Sequence, residues 1–284
     1  MLAQNLKTNL RARWRNLNLV WKWNTRKARK LYKQNYKEDG NKYISARLHS
    51  YGNFISVEEI SIPLQKLQSY QQSIKQKYIN FFKPFLIEYW KSGEVIDFKN
   101  PFVQLALRED ILSIVSNYLG CWPVLHDYRL WETKVMRNET PIYSQMWHRD
   151  PEDKKLLNMF IYLNDVEEDG VGPFQYIPGS HIEGPYWKTL PQILPPVASY
   201  PKKGEVIRLL SDKIKTCYGK VGTIIFADTA GLHRGGYSTT KPRLMFKVLY
   251  TTTGNFGNNK PRYRLPVELP EELTKQQKFA IGLC

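Results

Sequence analysis

Leu156-Leu157-Asn158-Met159-Phe160-Ile161-Tyr162-Leu163 is a strand-length run, mostly apolar, that ends at the turn-forming pair Asn164-Asp165. Runs of the same texture stand at 130–136, 174–177, 222–227 and 244–251, separated by Gly, Pro and Asp. Several strands with turns and no helices between them imply a sandwich, a jelly roll or a barrel. Towards the N-terminus the pattern changes. Leu64, Leu67, Ile74, Tyr78 and Phe81 recur at helical spacing, Pro63 suits a first turn, and Ser56 with Glu59 fits a capping box. These predict a helix over 63–83, perturbed at Pro84. A second is expected over 109–118, stopped by Gly120, and a last one over 268–279. The chain therefore reads as α+β, with helices mainly from the N-terminal half packed on a β second half.

The composition supports a packed core. Of 284 residues, 42% are hydrophobic and 13% aromatic, which excludes a wholly disordered chain. Cys121, Cys217 and Cys284 are far apart and form no CxxC, so neither a disulfide framework nor a cysteine zinc site is expected. That favours a reducing, cytoplasmic setting. No run of about 18 apolar residues is present, so no bilayer span is expected. Lys7, Arg11, Arg13 and Arg15 interrupt any signal-peptide core.

Charge is uneven. Residues 1–37 hold 11 of the 42 Lys and Arg and no acid, so they carry 11 of the net 16 positive charges. Trp14, Trp21 and Trp23 are interleaved with them. We take 1–40 as a basic, Trp-containing segment and 41–284 as one domain with its β core at about 125–252. Such a segment suits the anionic inner face of a membrane, where Lys and Arg meet head groups and Trp settles at the interface. The plainer reading is a solvated helix whose Trp residues pack on the domain. Nucleic acid ranks last, because no recognition motif accompanies the charge.

Five histidines are present: 49, 126, 148, 181 and 233. His148-Arg149-Asp150 is an HxD, and in extended chain residues i and i+2 point the same way, so both side chains can hold one metal. His233 follows a strand-like run and can complete the set. Two His and one carboxylate form the facial triad of non-heme Fe(II) oxygenases, which leaves positions open for a cosubstrate and O2. Arg243, ten residues after His233, can clamp a dicarboxylate by a bidentate pair.

Gln145-Met146-Trp147-His148-Arg149-Asp150, then Asp169-Gly170-Val171-Gly172-Pro173-Phe174, then Ile177-Pro178-Gly179-Ser180-His181, then His233 and Arg243, resemble the phytanoyl-CoA dioxygenase-like group of Fe(II)/2-oxoglutarate oxygenases. The resemblance covers about 125–252. It implies a double-stranded β-helix (a jelly roll, cupin-like), with Fe(II) on His148, Asp150 and His233. It further implies Arg243 on the distal carboxylate of 2-oxoglutarate, with Gln145 and Asn158 at positions that contact it. With Asp150 present, hydroxylation rather than halogenation is expected. Gly170-Val171-Gly172-Pro173 carries one residue more than the family's usual turn, and Phe174 stands where some members use Thr or Leu. By strand parity Lys247 should point inward with Arg243, which is unusual for a packed barrel.

His181, His126 and His49 read as structural, and Cys217 lacks the neighbours of a nucleophile. The substrate is expected to be an anionic small molecule or glycolipid, such as the Kdo sugar of lipopolysaccharide, which similar enzymes hydroxylate. A fatty acyl-CoA or a small metabolite is the alternative. Further cations near the pocket, with Lys134, Arg137, Arg149 and Arg234 as candidates, would favour an anion. Two other classes compete with the oxygenase: a non-catalytic metal-binding module docking on an anionic surface, and a zinc hydrolase. The zinc reading leaves Arg243 and the Pro-Gly-Ser-His turn unexplained.

Overall fold

A computed structural model describes all residues except 1, 37–41, 57–59, 80–82, 138–139, 193–197, 257–260 and 284. In chain order the elements are α1 (Leu2–Arg15), α2 (Asn18–Asn35), α3 (Lys42–Tyr51), β1 (Asn53–Ser56), α4 (Leu64–Ser73), β2 (Tyr78–Ile79), β3 (Leu86–Glu88), α5 (Pro101–Ala106), α6 (Glu109–Leu119), β4 (Val124–Thr133), β5 (Leu156–Tyr162), β6 (Phe174–Tyr176), α7 (Glu205–Leu210), β7 (Lys215–Cys217), β8 (Ile224–Ala227), β9 (His233–Arg234), β10 (Arg243–Thr251) and α8 (Lys275–Ala280). The strands form two antiparallel sheets. The larger runs β1-β8-β5-β10-β4-β3-β2 and the smaller β7-β6-β9. Together they make the expected jelly roll, with helices on the outer face of the larger sheet.

Period-two alternation assigns each strand residue to a layer. On β5, Leu157, Met159 and Ile161 join the core shared with the helices, where they pack with Ile111, Val115 and Tyr118 of α6. Phe160 and Tyr162 turn inward and meet Phe174 and Tyr176 of the smaller sheet. On β10, Phe246, Val248 and Tyr250 face the helices. Arg243, Met245 and Lys247 face the interior. Burial of the apolar rows drives the packing, and the inward polar residues remain for other use.

Several local expectations change. The helix expected over 63–83 ends at Ser73, and Tyr78–Ile79 instead pairs with β3. Ile74, which caps the helix, and the polar Lys75, Gln76 and Lys77 separate the two, so the apolar recurrence serves a strand rather than another helical turn. Phe81 and Glu59 lie outside the described residues. Ser56 ends β1, paired with Ile224, and the next described helix is entered at Pro63. The run placed at 130–136 begins earlier, at Val124, because β10 pairs with β4 along its whole length. The last helix is shorter than expected, starting after Thr274, whose hydroxyl accepts from the Gln277 backbone N–H. Helix α6 meets its expectation, ending on Gly120 in the left-handed region at φ 68°.

The basic N-terminal helices lie against the domain. Arg15 is buried and donates to the carbonyls of Asn255 (2.5 Å) and Thr253 (2.9 Å). Trp21 Nε1 donates to Asp153 Oδ1 at 2.9 Å. Trp14, Leu19 and Trp23 remain 56%, 82% and 64% exposed. Among the described residues no helix is long and apolar enough to cross a membrane.

Candidate metal centre

The HxD segment is held to the strand that carries the distal histidine. His148 and His233 exchange backbone hydrogen bonds at 2.9 and 3.0 Å, and the Asp150 N–H donates to the Thr229 carbonyl at 2.8 Å. Extended geometry sends Arg149 the other way. Arg149 is fully buried and donates to the carbonyls of Ser180 (2.6 Å), Ala230 (2.8 Å) and Leu190 (2.9 Å). It therefore ties two loops, the β6–α7 and β8–β9 connections, to the segment, and it is not among the cavity-lining residues.

His148, Asp150 and His233 offer ligand atoms that all lie within 4.8 Å of one another. His148 Nε2 is 3.6 Å from Asp150 Oδ1, and His233 Nε2 is 3.7 Å from Asp150 Oδ2. His148 Nδ1 sits 2.8 Å from the Met146 carbonyl and His233 Nδ1 3.0 Å from that of Gly231. A carbonyl only accepts, so each Nδ1 carries the proton and each Nε2 lone pair faces the centre. Asp150 is aimed by a relay. Thr229 Oγ1 donates to Asp150 Oδ2 at 2.6 Å, and Asn158 Nδ2 donates to Thr229 Oγ1.

Protonation states suit a metal. Burial pushes the His148 imidazole down to about 3, aided by the neighbouring His233. Burial lowers His233 as well. Burial opposes ionisation of Asp150, but His233, Lys247, His148 and the Thr229 hydroxyl outweigh it and hold the carboxyl below its usual range. Two neutral imidazoles and one carboxylate are the forms that ligate. The donor set therefore fits a six-coordinate Fe(II) ion with open positions.

A cavity opens on this set, lined by Arg243, Met245 and Lys247 of β10, Trp131, Phe160, Phe174, Gln145 and Lys83. Arg243 is buried, bonded to the Gly172 carbonyl, with Nη2 3.4 Å from Thr133 Oγ1. Three cavity-lining residues keep buried donors without a partner: Arg243 Nε, Gln145 Nε2 and Trp131 Nε1. Each unmet donor costs on the order of 1–3 kcal/mol. Unmet donors beside cations fit an oxygen-rich anion such as 2-oxoglutarate.

The residues singled out from sequence divide by place. His148, Asp150, His233, Arg243 and Gln145 line one cavity, and Phe174 lines it too, its ring 5.7 Å from His233. Asn158 meets Thr229 and is not among the lining residues. His181 is buried beneath its turn, with Nε2 3.0 Å from the His49 carbonyl. His49 packs on Tyr118, and His126 is buried away from the triad. Cys217 is buried, and burial pushes its thiol up to about 12, against the thiolate form a nucleophile needs. The longer turn at 169–172 is a 3-10 turn ending on Gly172 at φ 75°, whose carbonyl holds Arg243. Lys134, Arg137, Arg149 and Arg234 are not among the lining residues; the cavity's cations are Arg243, Lys83 and Lys247. Parity with Arg243 marked Lys247 in the sequence. Nothing local marked Lys83 or Thr229, which reach the site through chain crossings.

No protein-family model matches the sequence, and no curated protein matches it. Solved structures do share the fold. EctD from S. alaskensis, solved with 2-oxoglutarate and 5-hydroxyectoine, aligns at TM-score 0.55 with 19% identity over 80% of this chain and 85% of its own. HygX from Streptomyces hygroscopicus, with nickel, 2-oxoglutarate and hygromycin B bound, aligns at 0.55 with 12% identity over 84% and 94%. The epimerase SnoN, in complex with Fe3+, alpha ketoglutarate and nogalamycin RO, aligns at 0.51 with 16% identity over 74% and 83%. The jelly roll of this chain is thus the fold on which those three proteins are built.

Proposed function

We propose that the protein is an Fe(II)/2-oxoglutarate-dependent dioxygenase that hydroxylates an unactivated C–H bond. The observation that carries this is the cavity in which the preorganised His148–Asp150–His233 set faces buried, unmet donors and Arg243. When bound, Fe(II), 2-oxoglutarate and O2 supply the oxidising power for such a bond. The chain supplies position. His148 and His233 are held in one tautomer by the Met146 and Gly231 carbonyls. Thr229 aims Asp150, and Arg243, itself fixed by the Gly172 carbonyl, receives the distal carboxylate. Gln145 Nε2 is available as a second donor to the cosubstrate. Trp131, Phe160 and Phe174 exclude water from the reacting space.

The substrate we propose is an anionic saccharide or lipid, and the Kdo sugar of lipopolysaccharide is the first to test. The cavity's cations support an anion. Trp14, Leu19 and Trp23, exposed on the basic helices, support contact with an anionic membrane surface. The reaction class is tested anaerobically. Protein with Fe(II) and 2-oxoglutarate is expected to show a weak visible charge-transfer band that His148→Ala abolishes and Arg243→Ala weakens. Metal-loaded protein without the band would leave the non-catalytic binding module as the reading.

A further inference from the structure

Lys247 lies in the middle of β10, four positions beyond Arg243, and the same alternation turns both into the cavity. Lys83 enters from the segment before β3 and lines the same cavity beside the triad. The acids around Lys247 are engaged elsewhere. Asp127 pairs with Arg129 at 2.9 Å and Arg262 at 3.6 Å, Glu152 with Arg262 at 3.0 Å, and Glu88 with Arg129 at 3.9 Å. Among the described residues no carboxylate lies within ion-pair distance of Lys247, whose ammonium sits 5.8 Å from the Trp131 ring centre. Asp150 is the one acid among the cavity's lining residues, and a metal would take up its charge. Two ammonium groups sharing one secluded space repel each other. Burial and then Lys247 push the Lys83 pKa down, as that repulsion requires. Arg243 is separately anchored by Gly172 and Thr133, so the lysines form a second cationic pole.

We infer that Lys83 and Lys247 form an anion subsite beside the triad, which binds a carboxylate or phosphate of the substrate while Arg243 holds the cosubstrate. The inference rests on the dioxygenase reading for the word substrate, and on the cavity alone for the anion. An anion between two ammonium groups relieves their repulsion and gains charge-assisted hydrogen bonds. The surrounding Leu86, Trp131 and Phe160 shield that attraction from water.

The test uses protein loaded with Fe(II) and saturated with 2-oxoglutarate, without O2. Inorganic phosphate and acetate are titrated separately by calorimetry, and 2-oxoglutarate affinity is read from the visible band. At least one anion should bind, and Lys83→Gln and Lys247→Met should each weaken it about tenfold or more. Lys247→Arg should retain binding, which separates lost charge from lost folding. The 2-oxoglutarate affinity should stay within about twofold. Tighter phosphate binding assigns a phosphate ester as the source, and tighter acetate binding a carboxylate. Binding of neither anion, or equal binding by the variants, would overturn the subsite. So would a matching loss of 2-oxoglutarate affinity, which would hand the lysines to the cosubstrate. Lysine-dependent anion binding without a visible band would instead sustain the subsite and reject the dioxygenase.

Discussion

Thr229 shows how a residue outside the ligand set controls it. Its hydroxyl donates to Asp150 Oδ2 and accepts from Asn158 Nδ2, so one rotamer is fixed from both sides. Thr229→Val keeps the shape and removes the hydroxyl. Metal affinity should fall about 10- to 100-fold, and Thr229→Ser should restore most of it. Calorimetric metal titration checks this; unchanged affinity would reduce Thr229 to packing. The same titration has an expected pH profile. Protons compete with metal for a histidine only below its pKa in the folded protein, and burial takes His148 down to about 3. From pH 8 to 5.5 the affinity should therefore stay nearly flat, where an ordinary histidine site would weaken below about pH 6.5.

Strand β10 serves two layers at once. Its outward row packs on the helices, with the Phe246 ring 4.7 Å from Phe102 and the Tyr250 hydroxyl donating to the Ala106 carbonyl at 2.7 Å. Its inward row builds the cavity. Phe246→Ala should lose about 3–5 kcal/mol of stability, measured by urea unfolding, because the rigid sheet cannot close on the void. Metal affinity of the folded variant should change little, since the inward row is untouched. A comparable loss of both would show that the two faces of β10 are not independent. At this scale the strand texture was legible in the sequence, because alternating apolar residues carry the signal themselves. The pairing of Tyr78–Ile79 was not, because an edge strand of two residues has no period of its own.

Across the whole molecule, the N-terminal helices are tied to the segment that carries His148 and Asp150. Trp21 donates to Asp153, three residues after Asp150, and the other Asp153 oxygen accepts from the Thr252 N–H and hydroxyl. Gly254 permits that approach: a Cβ there would lie 2.6 Å from Trp21 Cδ1. The same helices leave Trp14, Leu19 and Trp23 outward, with the Arg26 guanidinium stacked 3.7 Å over Trp23. If that surface meets anionic lipid, replacing Trp14, Leu19 and Trp23 together by Ala should cut sedimentation with phosphatidylglycerol vesicles about tenfold or more. Trp21 is left in place, so the fold and metal site should persist. Vesicle binding equal to that of the parent would remove the membrane from the account.

By itself the sequence determined the α+β class, the strand runs and the order His148, Asp150, His233, Arg243, because periodicity and spacing are properties of the chain. It also marked Lys247, through parity with Arg243. Tertiary structure alone decided that Arg149 is spent on the backbone carbonyls of distant loops, that Asn158 acts through Thr229, and that Lys83 shares a cavity with Lys247. Each depends on which distant segments the sheet brings together, and burial then makes those contacts count. Spacing along the chain carries no trace of either.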